Sequence, residues 1–301
     1  MVKKLKAQVS GVRLDKYLHK ELPDSSRSWL QKLIKKKKVT VNGQAVKPHH
    51  SLRLDDLIEI EVVQQPIIDL SPDASIEWET IFESPDYLII NKPSGLVVHP
   101  SEGTKTGTLV NGLLHRYPDI GKVGEDLMRP GIVHRIDKEA SGLMIIAKTQ
   151  DAFDYYKQLF KSHKINKRYQ ALVSGTGLSD TGTINFPLER SKTGKIVSVS
   201  ATAPSMRKRK WAETNYEVIK CFTNYTLVQV TTITGRTHQI RAHFHGLGHP
   251  LFGDSQYSKD YNNEPLFLCA YYLSFIDQKG EKQEYSIELP GYLQQVLKDM
   301  K

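Results

Sequence analysis

The sequence predicts an α+β fold in two parts: a small N-terminal α+β module, then a larger domain around a mixed, largely antiparallel sheet. Three observations predict it. Helix, lysine-run and hairpin signals crowd into about the first sixty residues. Residues 64–75 (QQPIIDLSPDAS) carry two prolines and no clear period, which reads as a linker. From Ile76 onward, short apolar strands outnumber helical patterns without alternating strictly with them, so a doubly wound sheet is disfavoured. The expected division is 1–64, 65–75 and 76–301.

In the first part, Leu14, Tyr17 and Leu18 fall at helical spacing in a short helix stopped near Pro23. Ser25 or Ser26 is placed to cap a second helix, with Trp29 or Leu30, Leu33 and Ile34 on its apolar face. That helix runs into Lys35-Lys36-Lys37-Lys38, cations where the helix dipole favours them. Asn42-Gly43 between Val39-Thr40-Val41 and Gln44-Ala45-Val46 is a strong hairpin signal. Leu57 to Val62 supplies one more strand. In the second part the predicted strands are Tyr87–Ile90, Leu143–Ala147, Tyr169–Val173 and Tyr225–Thr232. Thr149 is placed to cap a helix carrying Phe153, Tyr156 and Phe160 on one face. Ile240, Phe244 and Leu247 mark another helix beginning near Thr237.

Charge is the next constraint. The 301 residues carry 42 Lys+Arg against 33 Asp+Glu, a net +9. Residues 1–64 hold 14 Lys+Arg against 7 Asp+Glu, so +7 of that surplus sits there. A second basic stretch runs from Glu189 to Lys210 and ends in Arg207-Lys208-Arg209-Lys210. Localised surpluses of this kind point to a polyanionic partner, nucleic acid before membrane. The two cysteines, Cys221 and Cys269, are far apart and in no ligand spacing, which suits a reducing compartment. Neither a signal peptide nor a bilayer-length apolar run is present, so a cytoplasmic protein is expected.

The segment Gly131-Ile132-Val133-His134-Arg135-Ile136-Asp137-Lys138-Glu139-Ala140-Ser141-Gly142-Leu143 is the most informative. If it is extended near Asp137, then Arg135 and Asp137 project to one face. That is either a surface ion pair, usually worth little, or part of a site that handles a charged polymer. His238, His243, His245 and His249 crowd into twelve residues, yet Asp254 is the first acid after them and no H-E-x-x-H pattern occurs. Metal ligation is therefore disfavoured, and helix capping or cleft hydrogen bonds suit His238 and His243 better. Ser141-Gly142 lacks the G-x-S-x-G elbow of a serine hydrolase.

Four segments in order decide between these readings. They are Asn91 to Pro100 (NKPSGLVVHP), the Asp137 segment, Lys167 to Gly175 (KRYQALVSG), and Thr234 to His243 (TGRTHQIRAH) running on to Gly248-His249-Pro250 and Gly253-Asp254. Together they resemble the RluA-type pseudouridine synthases over roughly residues 80–275, and the first sixty residues resemble the S-four RNA-binding module. The resemblance implies a catalytic domain with a central cleft across its sheet. It implies isomerisation of uridine to pseudouridine in structured RNA, most plausibly large-subunit ribosomal RNA, by a monomeric enzyme. Such a reaction breaks a glycosidic bond, turns the base and rejoins it through carbon five. It has no redox change or group transfer, so neither metal nor cofactor is expected.

The same resemblance assigns roles. Asp137 is the essential carboxylate; attack on the anomeric carbon, attack on the base and removal of a sugar proton are all open to it. Arg241 would hold that carboxylate ionised and oriented. Arg135 fills the space left by the flipped base, and Tyr169 stacks on the uracil. Lys92 and Arg236 are expected near RNA phosphates or as support around the cleft. Arg27, Lys32 and Lys35, Lys36, Lys37 and Lys38 are the matching RNA contacts of the N-terminal module. Ala140 stands where the family usually has threonine, Ile136 where it has leucine, and Cys269 where relatives often carry histidine. A catalytically silent RNA-binding protein on the same fold and a metal-dependent nuclease are the alternatives.

Overall fold

The computed structural model describes residues 2–23, 25, 27–61, 69–101, 103–199 and 209–300. Ser26, Val62, residues 64–68 of the expected linker, Arg207 and Lys208 lie outside the described residues. The chain divides into two compact units, residues 1–69 with 126–128, and residues 70–125 with 129–301.

The first unit holds β1 (Val2–Lys6), α1 (Leu14–Glu21), α2 (Arg27–Lys35), β2 (Val39–Val41), β3 (Gln44–Ala45) and β4 (Leu57–Glu61). Its sheet runs β1-β4-β2-β3, all antiparallel. The Asn-Gly signal holds: Val41 pairs with Gln44, while Asn42 and Gly43 both take positive φ, at 51° and 74°. Two left-handed residues match the twist of the flanking strands. The core is Leu14, Leu18, Leu30, Ile34, Val39, Leu52 and Ile58, all essentially buried. Asp15 is buried beside it. It accepts from Arg13 Nε and Nη2 (3.0 and 2.9 Å), Arg27 Nη2 (2.9 Å) and Gln31 Nε2 (2.5 Å). Burial pushes the Asp15 carboxyl up, but the bonds from Arg13, Gln31 and Arg27 outweigh it and hold the group below its ordinary value.

The second unit holds β5 (Glu79–Glu83), β6 (Tyr87–Lys92), α3 (Leu109–Arg116), β7 (Ser141–Ala147), α4 (Gln150–Lys161), β8 (Asn166–Ser174), β9 (Thr181–Ile184), β10 (Leu188–Arg190) and β11 (Ile196–Ser198). Then come β12 (Thr214–Cys221), β13 (Tyr225–Thr232), α5 (Gln239–Gly246), β14 (Leu268–Ile276), β15 (Lys282–Ser286) and α6 (Gly291–Asp299). Nine strands form one sheet in the order β5-β6-β7-β14-β8-β13-β12-β9, with β15 also on β14; β10 and β11 pair separately. Among the described residues only the β7–β14 pairing in this sheet is parallel, so the sheet is mixed and largely antiparallel. Thr149 caps α4 by accepting from Ala152 N–H at 3.2 Å, and Phe153 and Tyr156 face the core.

Every residue of β7 is buried, and its start is held close to β14. Gly142 has φ 122°, and a β-carbon there would strike the backbone of Ala270. Only glycine tolerates both the dihedral and the approach. The glycine thus fixes where the chain leaves residues 137–140 and enters the sheet. Cys269, opposite Ser141 on β14, is fully buried.

Candidate active site

A cleft open to solvent, with a cavity volume of about 70 Å³, lies where the chain before β7 meets the ends of β8 and β13 and the turn into α5. Four elements supply its side chains. The chain approaching β7 is tied down by the Ile132–Ile146 bridge and by buried Ile136, which leaves half-buried Asp137 at the cleft wall. β8 contributes Tyr169, whose register partner on β13 is Val230. Thr232 ends β13, and residues 234–237 turn the chain toward α5. At its N-cap His238 adopts a left-handed φ of 51°, and Arg241 follows within the first helical turn.

Arg241 is 1% exposed and lies among three carboxylates. Its Nε and Nη2 donate to Asp254 Oδ2 and Oδ1 at 2.7 and 2.8 Å. Its Nη1 is 3.5 Å from both Asp137 Oδ2 and Glu139 Oε2. The bidentate pair with Asp254 is therefore the tight one, and it aims the third nitrogen at Asp137. Burial opposes the Arg241 charge, but Asp254 outweighs that and holds the guanidinium above its ordinary range. Asp254 is itself fully buried and accepts the backbone N–H groups of Gln256 and Tyr257. Burial pushes the Tyr169 phenol up to about 12, and the charge of Asp137 adds to this. Tyr169 thus stays neutral beside an anion.

The expected residues separate as follows. Asp137, Tyr169, Arg135 and Arg236 line the one cleft, and Arg241 bonds Asp137 from behind it. Arg135 is exposed and donates to Thr237 Oγ1 at 3.3 Å. Arg236, also exposed, donates from Nε to the Trp211 carbonyl at 3.1 Å. Lys92 is not at a phosphate-facing surface: it is 0% exposed, and its Nζ donates to the carbonyls of Pro93, Leu96 and Lys138 at 2.7, 2.9 and 3.1 Å. It ties β6 to the residue following Asp137, which leaves it the supporting role. Burial lowers its ammonium to about 7 against the pull of Asp137 and Glu139.

The histidines act as struts. His243 Nε2 donates to the Phe186 carbonyl at 2.9 Å, which leaves Nδ1 to accept from the Thr214 hydroxyl at 2.9 Å. His249 Nδ1 donates to the Ser174 carbonyl at 2.7 Å. His238 occupies the N-cap of α5 without a side-chain capping bond; its ring meets the Tyr257 hydroxyl at 3.2 Å instead. His134 is pushed down to about 3 by burial and accepts the Ile145 N–H, so it is a neutral core residue. Among the described residues no group of three or more His, Cys, Asp or Glu is arranged to hold a metal ion. No helix among them is long and apolar enough to cross a membrane.

In the first unit, Lys35, Lys36 and Lys37 are exposed. Lys38 instead pairs with Glu61 at 2.6 Å, and Lys32 sits over the Trp29 ring at 5.7 Å. Arg27 is engaged by buried Asp15, so it is only partly available to a ligand. Two residues were missed from sequence: Asp254, buried behind the cleft on Arg241, whose only signal was its place in the Gly253-Asp254 pair, and Thr232 in the cleft lining, which has no local signal at all.

Comparison with known proteins identifies the family to which this fold belongs. Residues 86–246 match the family described as RNA pseudouridylate synthase, and residues 12–58 match the S4 domain. A protein of Aquifex aeolicus named as an uncharacterized RNA pseudouridine synthase is 39% identical, covering 96% of this chain and 94% of its own. The ribosomal large subunit pseudouridine synthase D of Blochmanniella floridana is 41% identical, covering 84% of this chain and 78% of its own. The structure of human RNA pseudouridylate synthase domain containing 1 shares the fold, with a TM-score of 0.57 at 23% identity, covering 75% of this chain and 87% of its own. The class is that of RNA pseudouridine synthases, which are isomerases. The chain belongs to the RluA-type RNA pseudouridylate synthase family and carries an N-terminal S4 domain.

Proposed function

We propose that this enzyme converts specific uridines of large-subunit ribosomal RNA to pseudouridine, with Asp137 as the essential carboxylate. The observation that carries the reading is Asp137 at the cleft wall, 3.5 Å from an arginine whose other nitrogens are fixed by Asp254. An anion so oriented beside a neutral Tyr169 suits a sugar carbon bearing developing positive charge. Relatives named ribosomal large subunit pseudouridine synthase D support this substrate class.

The uridine must leave its stack to reach this cleft. Exposed Arg135 at the mouth takes the vacated place, and Tyr169 stacks on the base. The C1′–N1 bond breaks, the ring turns, and C1′–C5 forms; C5 loses a proton and N1 gains one. These atoms balance without a co-reactant, so the enzyme works without metal or cofactor. We take residues 1–64 as the RNA-binding module, 65–75 as linker and 76–301 as the catalytic domain of a cytoplasmic monomer.

Tritium release from cellular RNA labelled at carbon five of uridine tests the reading. Wild type releases tritium and Asp137→Asn reduces release by at least about a thousandfold, as loss of an essential group in a catalytic unit does. Release unchanged in Asp137→Asn sinks the assignment of Asp137. RNA bound without release supports the catalytically silent alternative.

A further inference from the structure

The polar side chains of the cleft are almost all engaged within the protein. Thr234 Oγ1 donates to Gln239 Oε1 at 2.7 Å and accepts the Glu213 N–H at 3.1 Å. Thr237 Oγ1 accepts from Arg135, and the His238 ring bonds Tyr257. Thr232 is different. It is 6% exposed, it lines the cleft, and its Oγ1 has no hydrogen-bond partner among the described residues. Tyr169 pairs with Val230 across the strands, so Thr232, two residues on, shares the Tyr169 face. The Thr232 hydroxyl approaches the Tyr169 hydroxyl closely enough to offset part of the rise that burial imposes on that phenol, yet in a geometry that completes no hydrogen bond. A buried hydroxyl without a partner is destabilising, and valine would fill the same space at a strand end without that cost. Such a group is expected where a ligand completes it.

We propose that Thr232 reads the base: its Oγ1 donates a hydrogen bond to a carbonyl of the uracil ring held against Tyr169. This rests on the proposed function and deepens it. When the ring turns to bring C5 to the place of N1, O2 and O4 exchange positions while N3 keeps its own. A hydroxyl donates equally well to either carbonyl, so Thr232 holds the ring before and after the turn. No bond to Thr232 forms or breaks.

The test compares Thr232→Val and Thr232→Ser with wild type in tritium release from the same labelled cellular RNA, alongside thermal melting. Thr232→Val is expected to melt no lower than wild type, since it removes an unpartnered buried hydroxyl. It is also expected to lose about tenfold in kcat with KM little changed, because phosphate contacts elsewhere hold the RNA. Thr232→Ser keeps the hydroxyl and stays within about twofold of wild-type kcat. A Thr232→Val enzyme as fast as wild type overturns the proposal, as does one whose slowing is accompanied by a lower Tm and is not relieved in Thr232→Ser. A wild type that releases no tritium overturns the proposed function as well, which separates the two failures.

Discussion

Lys92 carries its ammonium to a place where three backbone oxygens meet it and water does not. Each carbonyl left unpaired there costs about 1–3 kcal/mol. Lys92→Met keeps most of the volume but orphans all three, so the catalytic unit should melt several degrees lower and lose activity through displacement of the Asp137 chain. The pH dependence carries the sign. Folded Lys92 is held near 7, whereas a lysine in the unfolded chain titrates near 10.4. Between these values the unfolded chain binds more protons, so this residue makes stability rise with pH across that window. Melting curves from pH 7 to 10 should show that rise in wild type and a shallower one in Lys92→Met. Nothing local in the sequence announced this burial, because a lysine before proline reads as a surface turn. The Arg241–Asp254 pair was hidden for a similar reason. Asp254 lies thirteen residues on, beyond the end of α5, and only folding brings its carboxylate under the guanidinium.

At the scale of elements, local chemistry was legible wherever it was self-contained. Asn42-Gly43 specifies its own turn, and Thr149 caps α4, because each depends on a few neighbouring atoms. β1 was not legible: Val2–Lys6 carries three lysines, lacks apolar alternation, and lies at a sheet edge where charge discourages further pairing. The end of α2 is a further case. Lys38 N–H bonds the Leu33 carbonyl and Lys37 takes φ 61°, the left-handed closing residue usually supplied by glycine. A lysine there is strained, and the strain retains a cation on the exposed end of the helix. Lys37→Gly should raise the stability of the first unit by roughly 0.5–1 kcal/mol, read in urea unfolding, while weakening RNA binding. A variant less stable than wild type would show that the lysine side chain, not the backbone, governs this cap.

Across the whole molecule, the two units divide the electrostatics differently. In the second unit the buried cation is matched internally: Arg241 has Asp137, Glu139 and Asp254 around it. The first unit leaves Lys35, Lys36 and Lys37 exposed, while Arg27 and Lys38 are matched by Asp15 and Glu61. This separation was only partly legible, since a run of four lysines does not reveal which one has an acid opposite it. Unmatched cations bind phosphate by releasing counterions, so they act on affinity and its salt dependence and not on chemistry. Replacing Lys35, Lys36 and Lys37 by glutamine should therefore reduce the slope of log affinity against log salt by about two to three. KM for RNA should rise steeply at physiological salt, while kcat at saturating RNA stays within about twofold of wild type. Filter binding over a salt series, with tritium release at saturation, measures both quantities. A fall in kcat with the slope intact would mean that these lysines set the geometry of the bound uridine, and that affinity and chemistry are not divided between the two units as their charges suggest.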